Sequence, residues 1–102
     1  MTDKELLELA AKAAFPDCAH IDYPLDWVRD CVGDWNPLDN DGDALRLAVK
    51  LAIAIRYSYF DHMARAALPN DMVVITEFSV DDPYAATRRA IVRAAAEIWR
   101  TK

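Results

Sequence analysis

Thirteen consecutive residues decide the fold of this chain: Trp35-Asn36-Pro37-Leu38-Asp39-Asn40-Asp41-Gly42-Asp43-Ala44-Leu45-Arg46-Leu47. Pro37 restricts Asn36 to extended backbone, so the chain enters the helix that follows at a defined angle. Asn40 or Asp41 is the expected N-cap, and the neighbouring carboxylates lie at the positive end of the helix dipole. Each residue type here has a structural role, so the stretch predicts architecture rather than catalysis.

This stretch opens the second of three predicted helices, which continues to about Leu51. Only two basic residues, four apart, mark a solvent side, and we therefore expect this helix to be the most buried of the three. The first helix opens at Thr2, which has the capping-box spacing to Glu5, and continues to about Ala14.

The last helix carries a basic face. Asp82 followed by Pro83 is a cap with a first-turn proline, and the helix runs to about Arg100. Arg89, Arg93 and Arg100 are spaced to share one side of it, which is a candidate interaction surface for phosphates.

Two strands are predicted between the second and third helices, because residues there are rich in β-branched and aromatic side chains. They run from Ile53 to Phe60 and from Met72 to Ser79. The connection from Asp61 to Asp71 contains the turn signal Pro69-Asn70-Asp71, so the two strands are predicted to form an antiparallel hairpin with a long loop.

One further strand is predicted after the first helix, where Ala19, Ile21 and Tyr23 alternate with polar residues until Pro24. Leu25 to Val32 fits either a partner strand or a single helical turn. The predicted class is α/β (α+β), with layered helices against a small, mainly antiparallel sheet of three to four strands. The predicted order is α-β-α-β-β-α in one domain, residues 1–102.

Composition bounds the class of protein. A chain of 102 residues, 54% of them hydrophobic, is long enough for one core. Its apolar runs are far too short to span a bilayer, and the N-terminus lacks a signal-peptide pattern, so we expect a soluble cytoplasmic protein. Residues 1–45 hold eleven acids against three bases, whereas residues 46–102 hold nine bases against six acids. Such a charge split can orient a partner or a second copy of the chain, or merely keep the surface soluble.

No metal or cofactor site is expected. Asp39, Asp41 and Asp43 alternate as in a calcium loop, but the EF-hand pattern fails when it is aligned on Gly42. A carboxylate-rich helix start explains these residues better.

Catalytic and zinc chemistry are also disfavoured. Cys18, His20, Cys31 and His62 match no standard zinc spacing, and the two cysteines are expected as free thiols. Neither serine has a nucleophile-elbow context, and no glycine-rich phosphate loop is present. We therefore expect a protein that is not an enzyme.

Trp27 is the remaining candidate contact residue, since an exposed aromatic side chain contributes strongly to interfaces. The leading hypothesis is a non-enzymatic module that binds a protein or itself, because a small sheet leaves edges that must be paired or covered. The alternative is nucleic-acid engagement through the arginine-bearing last helix, or acidic mimicry of nucleic acid toward a host protein.

The chain resembles the phage ABA sandwich domain family in three segments. These are Trp35-Asn36-Pro37-Leu38 with Asp41-Gly42-Asp43 and residues 44–51, the closing residues 86–97, and the opening residues 5–14. The resemblance implies a small protein of bacteriophages or prophages with helices layered against a small sheet. It implies no catalytic residues, and the expected partner is an unidentified host or phage protein or a second copy of the chain.

Overall fold

The computed structural model describes residues 2–15, 35–69 and 73–101. The helices are α1 (Asp3–Ala14), α2 (Asp41–Lys50) and α3 (Pro83–Arg100). The strands are β1 (Ala54–Ser58), β2 (Met63–Ala67) and β3 (Val74–Phe78). The described order is α-α-β-β-β-α, an α+β fold, which confirms the predicted class.

The sheet is an antiparallel meander in the order β1-β2-β3. The predicted long hairpin loop is wrong, because β2 lies inside it and pairs with both neighbouring strands. The sequence of β2 is dominated by alanine, which has a low strand propensity and hides the strand from a propensity argument. The strand predicted at residues 19–23 and the segment 25–32 lie outside the described residues.

The last helix is the centre of the molecule. α3 contacts all three strands and also packs against α1 and α2. Ala64 and Ala66 of β2 are fully buried, as are Ala94 and Ala95 of α3. Small side chains let a helix approach a sheet closely at interior packing density, so the alanines of β2 are explained by their packing role.

The second helix is not the most buried helix, contrary to the prediction. Leu47 of α2 is buried, whereas Leu45 is 57% exposed and Val49 is 73% exposed. Within the described part of the chain, α2 packs mainly on α3, so only one side of the helix is covered. Leu45 and Val49, four residues apart, form a second apolar side that faces outward.

The predicted helix starts are present. Thr2 and Glu5 form the capping box of α1, and Asn40 is the N-cap of α2, with its Oδ1 accepting from the Asp43 N–H at 2.8 Å. The Asp43 carboxylate also accepts from the Asn36 N–H at 3.0 Å, which fixes the approach to α2. Asp82 caps α3.

Trp35 lies half-buried at the edge of the core. Its ring meets Phe15 edge-to-face, with ring centroids 5.7 Å apart. The ring therefore fastens the entry of α2 to the end of α1. No helix among the described residues is long and apolar enough to cross a membrane.

Candidate functional site

The arginines predicted as an interaction surface do come together. Arg89, Arg93 and Arg100 line one groove of about 310 Å³ between α1, β3 and α3. Leu6 and Ile75 supply apolar walls. Trp27, the other candidate, lies outside the described residues.

The charges of this groove are already met by carboxylates. Arg89 lies 2.8 Å from Asp3 and 3.6 Å from Glu77, and Arg93 also pairs with Glu77. Arg100 lies 3.7 Å from Glu97. Three guanidinium groups thus face three carboxylates, so a phosphate would have to displace a carboxylate to bind here.

The neighbouring Arg88 holds helices together. Its Nη1 lies 2.6 Å from Asp41, and its Nε donates to the Leu38 carbonyl at 2.9 Å. The side chain therefore ties α3 to the turn before α2. Asp43 lies 2.7 Å from Arg46, so two of the alternating carboxylates, Asp41 and Asp43, are paired with arginines. Among the residues described, no group of three or more His, Cys, Asp or Glu side chains could hold a metal ion.

Two backbone hydrogen bonds show which residues of β2 bond to β3 and which bond to β1. The Leu68 N–H donates to the Val73 carbonyl at 3.1 Å, and the Ser79 N–H donates to the His62 carbonyl at 3.0 Å. In an antiparallel pair, successive residues direct their N–H and C=O groups to opposite sides. The even-numbered residues of β2 therefore bond to β3, and the odd-numbered residues bond to β1.

The outer edge of β3 is guarded. Thr76 is paired with Arg65, an odd-numbered residue of β2, so the N–H and C=O of Thr76 point away from the sheet. The Arg93 guanidinium donates to that carbonyl at 3.2 Å. A side chain from another element that occupies an outward carbonyl of an edge strand hinders the addition of a further strand there.

The outer edge of β1 has no such guard within the described part of the chain. Arg56 is paired with Arg65 and directs its backbone toward β2, so Ile55 and Tyr57 direct their N–H and C=O groups outward. No described residue forms a backbone hydrogen bond with these outward groups. Two residues of β1, at alternate positions, therefore have outward backbone groups that no described residue pairs by backbone hydrogen bonds.

An apolar groove lies beside this open edge. It has a volume of about 370 Å³ and is bounded by α2, α3 and β1. Its mouth is formed by Leu45, Ile55 and Tyr84, and Ile55 and Tyr84 are 42% and 66% exposed. Buried Ala44 and Ile91 form its floor. The groove therefore leaves apolar side chains accessible next to backbone groups that are not paired within the described ranges.

The position of Arg56 adds charge to the edge. On the sheet face away from α3, Arg56 lies directly opposite Arg65, an arrangement that is unfavourable for like charges. The Asp61 carboxylate, 2.6 Å from Arg65, offsets this repulsion as a counter-charge, and its hydrogen bond to Arg65 raises the pKa of that guanidinium. The same contact lowers the pKa of Asp61. Arg56 itself forms no ion pair with a described residue and is exposed.

Tyr57 fixes the far end of β1. Its hydroxyl donates to the Ser79 carbonyl at 2.7 Å, and its ring meets Tyr59 edge-to-face at 4.9 Å. Burial raises the pKa of Tyr57, and the nearby Tyr59 and Asp61 add to the effect. These contacts hold the C-terminal half of β1 in place.

Sequence reasoning missed this edge. The second helix was expected to be the most buried of the three, and neither Leu45 nor Tyr84 was among the candidate contact residues. The sequence did contain one indication of this surface. Leu45 and Val49 form a second apolar side of α2, and a helix that buries only one side does not need it.

No family model matches the chain, and neither a curated protein nor a solved structure matches it. The resemblance to the phage ABA sandwich domain family therefore rests on its sequence motifs alone.

Proposed function

We propose that this protein is a non-enzymatic protein-binding module that accepts an extended segment of a partner protein on the edge of β1. The observation that carries the proposal is the pair of outward-facing backbone groups at Ile55 and Tyr57 beside the apolar groove. In strand addition, backbone hydrogen bonds supply affinity, and pockets for alternate side chains supply specificity. Both elements are present at β1.

The contrast between the two sheet edges supports this proposal. At the β3 edge the Arg93 guanidinium donates to the Thr76 carbonyl, whereas no described residue forms a backbone hydrogen bond with the outward groups of Ile55 and Tyr57 at the β1 edge. An open apolar edge is a liability for a protein unless a partner uses it.

The charge distribution favours a protein over a nucleic acid as the partner. The chain has a net charge of −5, and the arginines of the last helix already face carboxylates. Acidic mimicry of nucleic acid also loses support, since Asp3, Asp41 and Asp43 are each neutralised by an arginine. Nucleic-acid engagement remains the alternative proposal, and it predicts salt-sensitive binding that depends on Arg100, the most exposed arginine of the groove.

The resemblance to phage ABA sandwich proteins supplies the proposed setting. A small phage or prophage protein would meet its partner, from the host or from the phage, in the cytoplasm of a bacterium. Self-association is the other form of the same proposal, because a second copy also presents an edge strand.

The test uses a library of random peptides selected on the wild-type protein. Ile55→Lys places a charged side chain at the groove mouth, and partial exposure of Ile55 lets the fold tolerate it. Val74→Lys is the matched control, since Val74 is an exposed apolar residue of β3 on the opposite sheet face. A thermal melt of each variant verifies folding.

We expect the selected peptides to bind the wild type and Val74→Lys but not Ile55→Lys. Peptides that bind all three proteins equally would place the interaction elsewhere. Failure to select any peptide, together with a strict monomer by light scattering at high concentration, would contradict the protein-binding proposal in both of its forms.

A further inference from the structure

We propose that the segment bound by β1 is an antiparallel strand with one acidic residue between two apolar residues. This inference rests on the proposed function and specifies the chemistry of the partner. Its basis is the alternation of side chains along β1, where Arg56 lies on one face and Ile55 and Tyr57 lie on the other.

The acidic residue follows from the ladder geometry. An added antiparallel strand exchanges hydrogen bonds with Ile55 and Tyr57, so the residue opposite Arg56 occupies a non-hydrogen-bonded pair. Side chains in such pairs lie closest, with Cα atoms about 4.5 Å apart. Arg56 is the central residue of the edge, is exposed and has no ion pair with a described residue. A carboxylate opposite it would supply the missing counter-charge.

The apolar residues follow from the groove. Residues of the added strand opposite Ile55 and Tyr57 direct their side chains to the same face as α2 and α3. Near Ile55 this face offers the 370 Å³ groove with Leu45 and Tyr84 at its mouth. An apolar side chain buries surface there, whereas a charged one would be desolvated without a partner.

Charge also disfavours a second copy of β1 as the occupant. A two-fold symmetric pairing centred on Arg56 would bring two arginines into the closest type of pair. Shifting the register by two residues, which keeps Ile55 and Tyr57 bonded to the other copy, sets Arg56 opposite Ala54 or Ser58 and leaves its charge unmet. A partner with a central carboxylate therefore fits better than self-pairing.

The test compares two synthetic peptides that differ at one position, Val-Glu-Val and Val-Lys-Val, within the same extended polar flanks. Their affinities are measured for the wild type, Arg56→Glu and Lys4→Glu. Lys4→Glu is the control because it makes the same change in net charge at an exposed residue of α1. A pair of opposite charges across two strands raises the affinity by up to about five-fold over a neutral pair.

We expect the wild type and Lys4→Glu to prefer the glutamate peptide by about five-fold or more, and Arg56→Glu to prefer the lysine peptide. Protection of the Ile55 and Tyr57 amides from exchange when the peptide is bound would place it on the edge. Binding that depends on Ile55 but ignores the charge of the central residue would overturn this inference and leave the proposed function standing. Binding unaffected by Ile55→Lys would overturn both. If neither peptide binds, this inference is wrong, and the peptide selection and light scattering decide the proposed function.

The oligomeric state of the protein decides whether β1 binds a partner strand or a second copy of the chain. If light scattering shows a dimer that Ile55→Lys dissociates and Val74→Lys does not, the occupant is a second copy and the inference about an acidic partner strand is wrong.

Discussion

Replacing Val92 by alanine tests the central position of α3. Val92 is fully buried in the helix that contacts the sheet, α1 and α2. The substitution removes two methyl groups, worth about 1.6 kcal/mol at about 0.8 kcal/mol per methylene. The cavity left behind, roughly 50 Å³, adds about 1.2 kcal/mol at about 24 cal/mol per Å³. The free energy of unfolding should therefore fall by about 3 kcal/mol.

Urea unfolding followed by circular dichroism measures this loss, and the melting temperature should fall by more than about 10 °C for a domain of this size. Val49→Ala is the control, since it makes the same change on the exposed side of α2. It should leave stability unchanged or raise it slightly, because alanine is the better helix former. A loss below about 1 kcal/mol for Val92→Ala would refute the packing of α3 between the layers.

Three further predictions address local structure. Trp35→Ala should lower the free energy of unfolding by about 2–3 kcal/mol, through loss of the edge-to-face contact with Phe15. The loss is smaller than for a fully buried ring because Trp35 is only half-buried. An unchanged thermal melt would show that the ring does not stabilise the fold. Asp82→Ala should cost about 1 kcal/mol in urea unfolding through loss of the α3 cap, and no loss would mean that this cap is dispensable. The contact with Arg65 lowers the pKa of Asp61, so it stabilises the fold fully above the unfolded pKa of about 4 and less as the pH falls through the folded pKa. The free energies of unfolding of Asp61→Asn and wild type, measured in urea, should therefore differ more at pH 7 than at pH 3. Equal differences at the two pH values would contradict this linkage.

The helices were predictable from sequence because their signals are local. The Thr2 capping box, the Asn40 cap and the Asp82 cap each depend on a side chain and a backbone N–H three residues away. Such signals can be read from the sequence without knowledge of the tertiary structure. The class of the fold followed from the same signals together with the β-branched residues of β1 and β3.

The second strand was not predictable from propensity. Its sequence, Met63-Ala64-Arg65-Ala66-Ala67, favours helix by composition, and the strand exists because alanines are needed where α3 lies against the sheet. This is a tertiary requirement that overrides local preference. The burial of α2 was misjudged for a related reason, since an apolar side chain in the sequence does not reveal which side of a helix is covered.

The arginine groove was partly predictable. Helical spacing correctly placed Arg89, Arg93 and Arg100 around one groove. The carboxylates that neutralise Arg89 and Arg93 come from the distant Asp3 and Glu77, and a sequence pattern contains no information on such pairings. The outward backbone groups of β1 could not be predicted from sequence, because their direction depends on which residues of β2 bond to β1 and which bond to β3.

The most direct test of the account is residue-resolved amide hydrogen exchange of the dilute free protein by NMR. We expect an alternating pattern along β1, in which the amides of Arg56 and Ser58 are protected by bonds to β2. The amides of Ile55 and Tyr57 should exchange rapidly and become protected only when a partner strand binds. Strong protection of Ile55 and Tyr57 in the free monomer would show that the edge is already paired, and would contradict the claim that β1 is open to a partner.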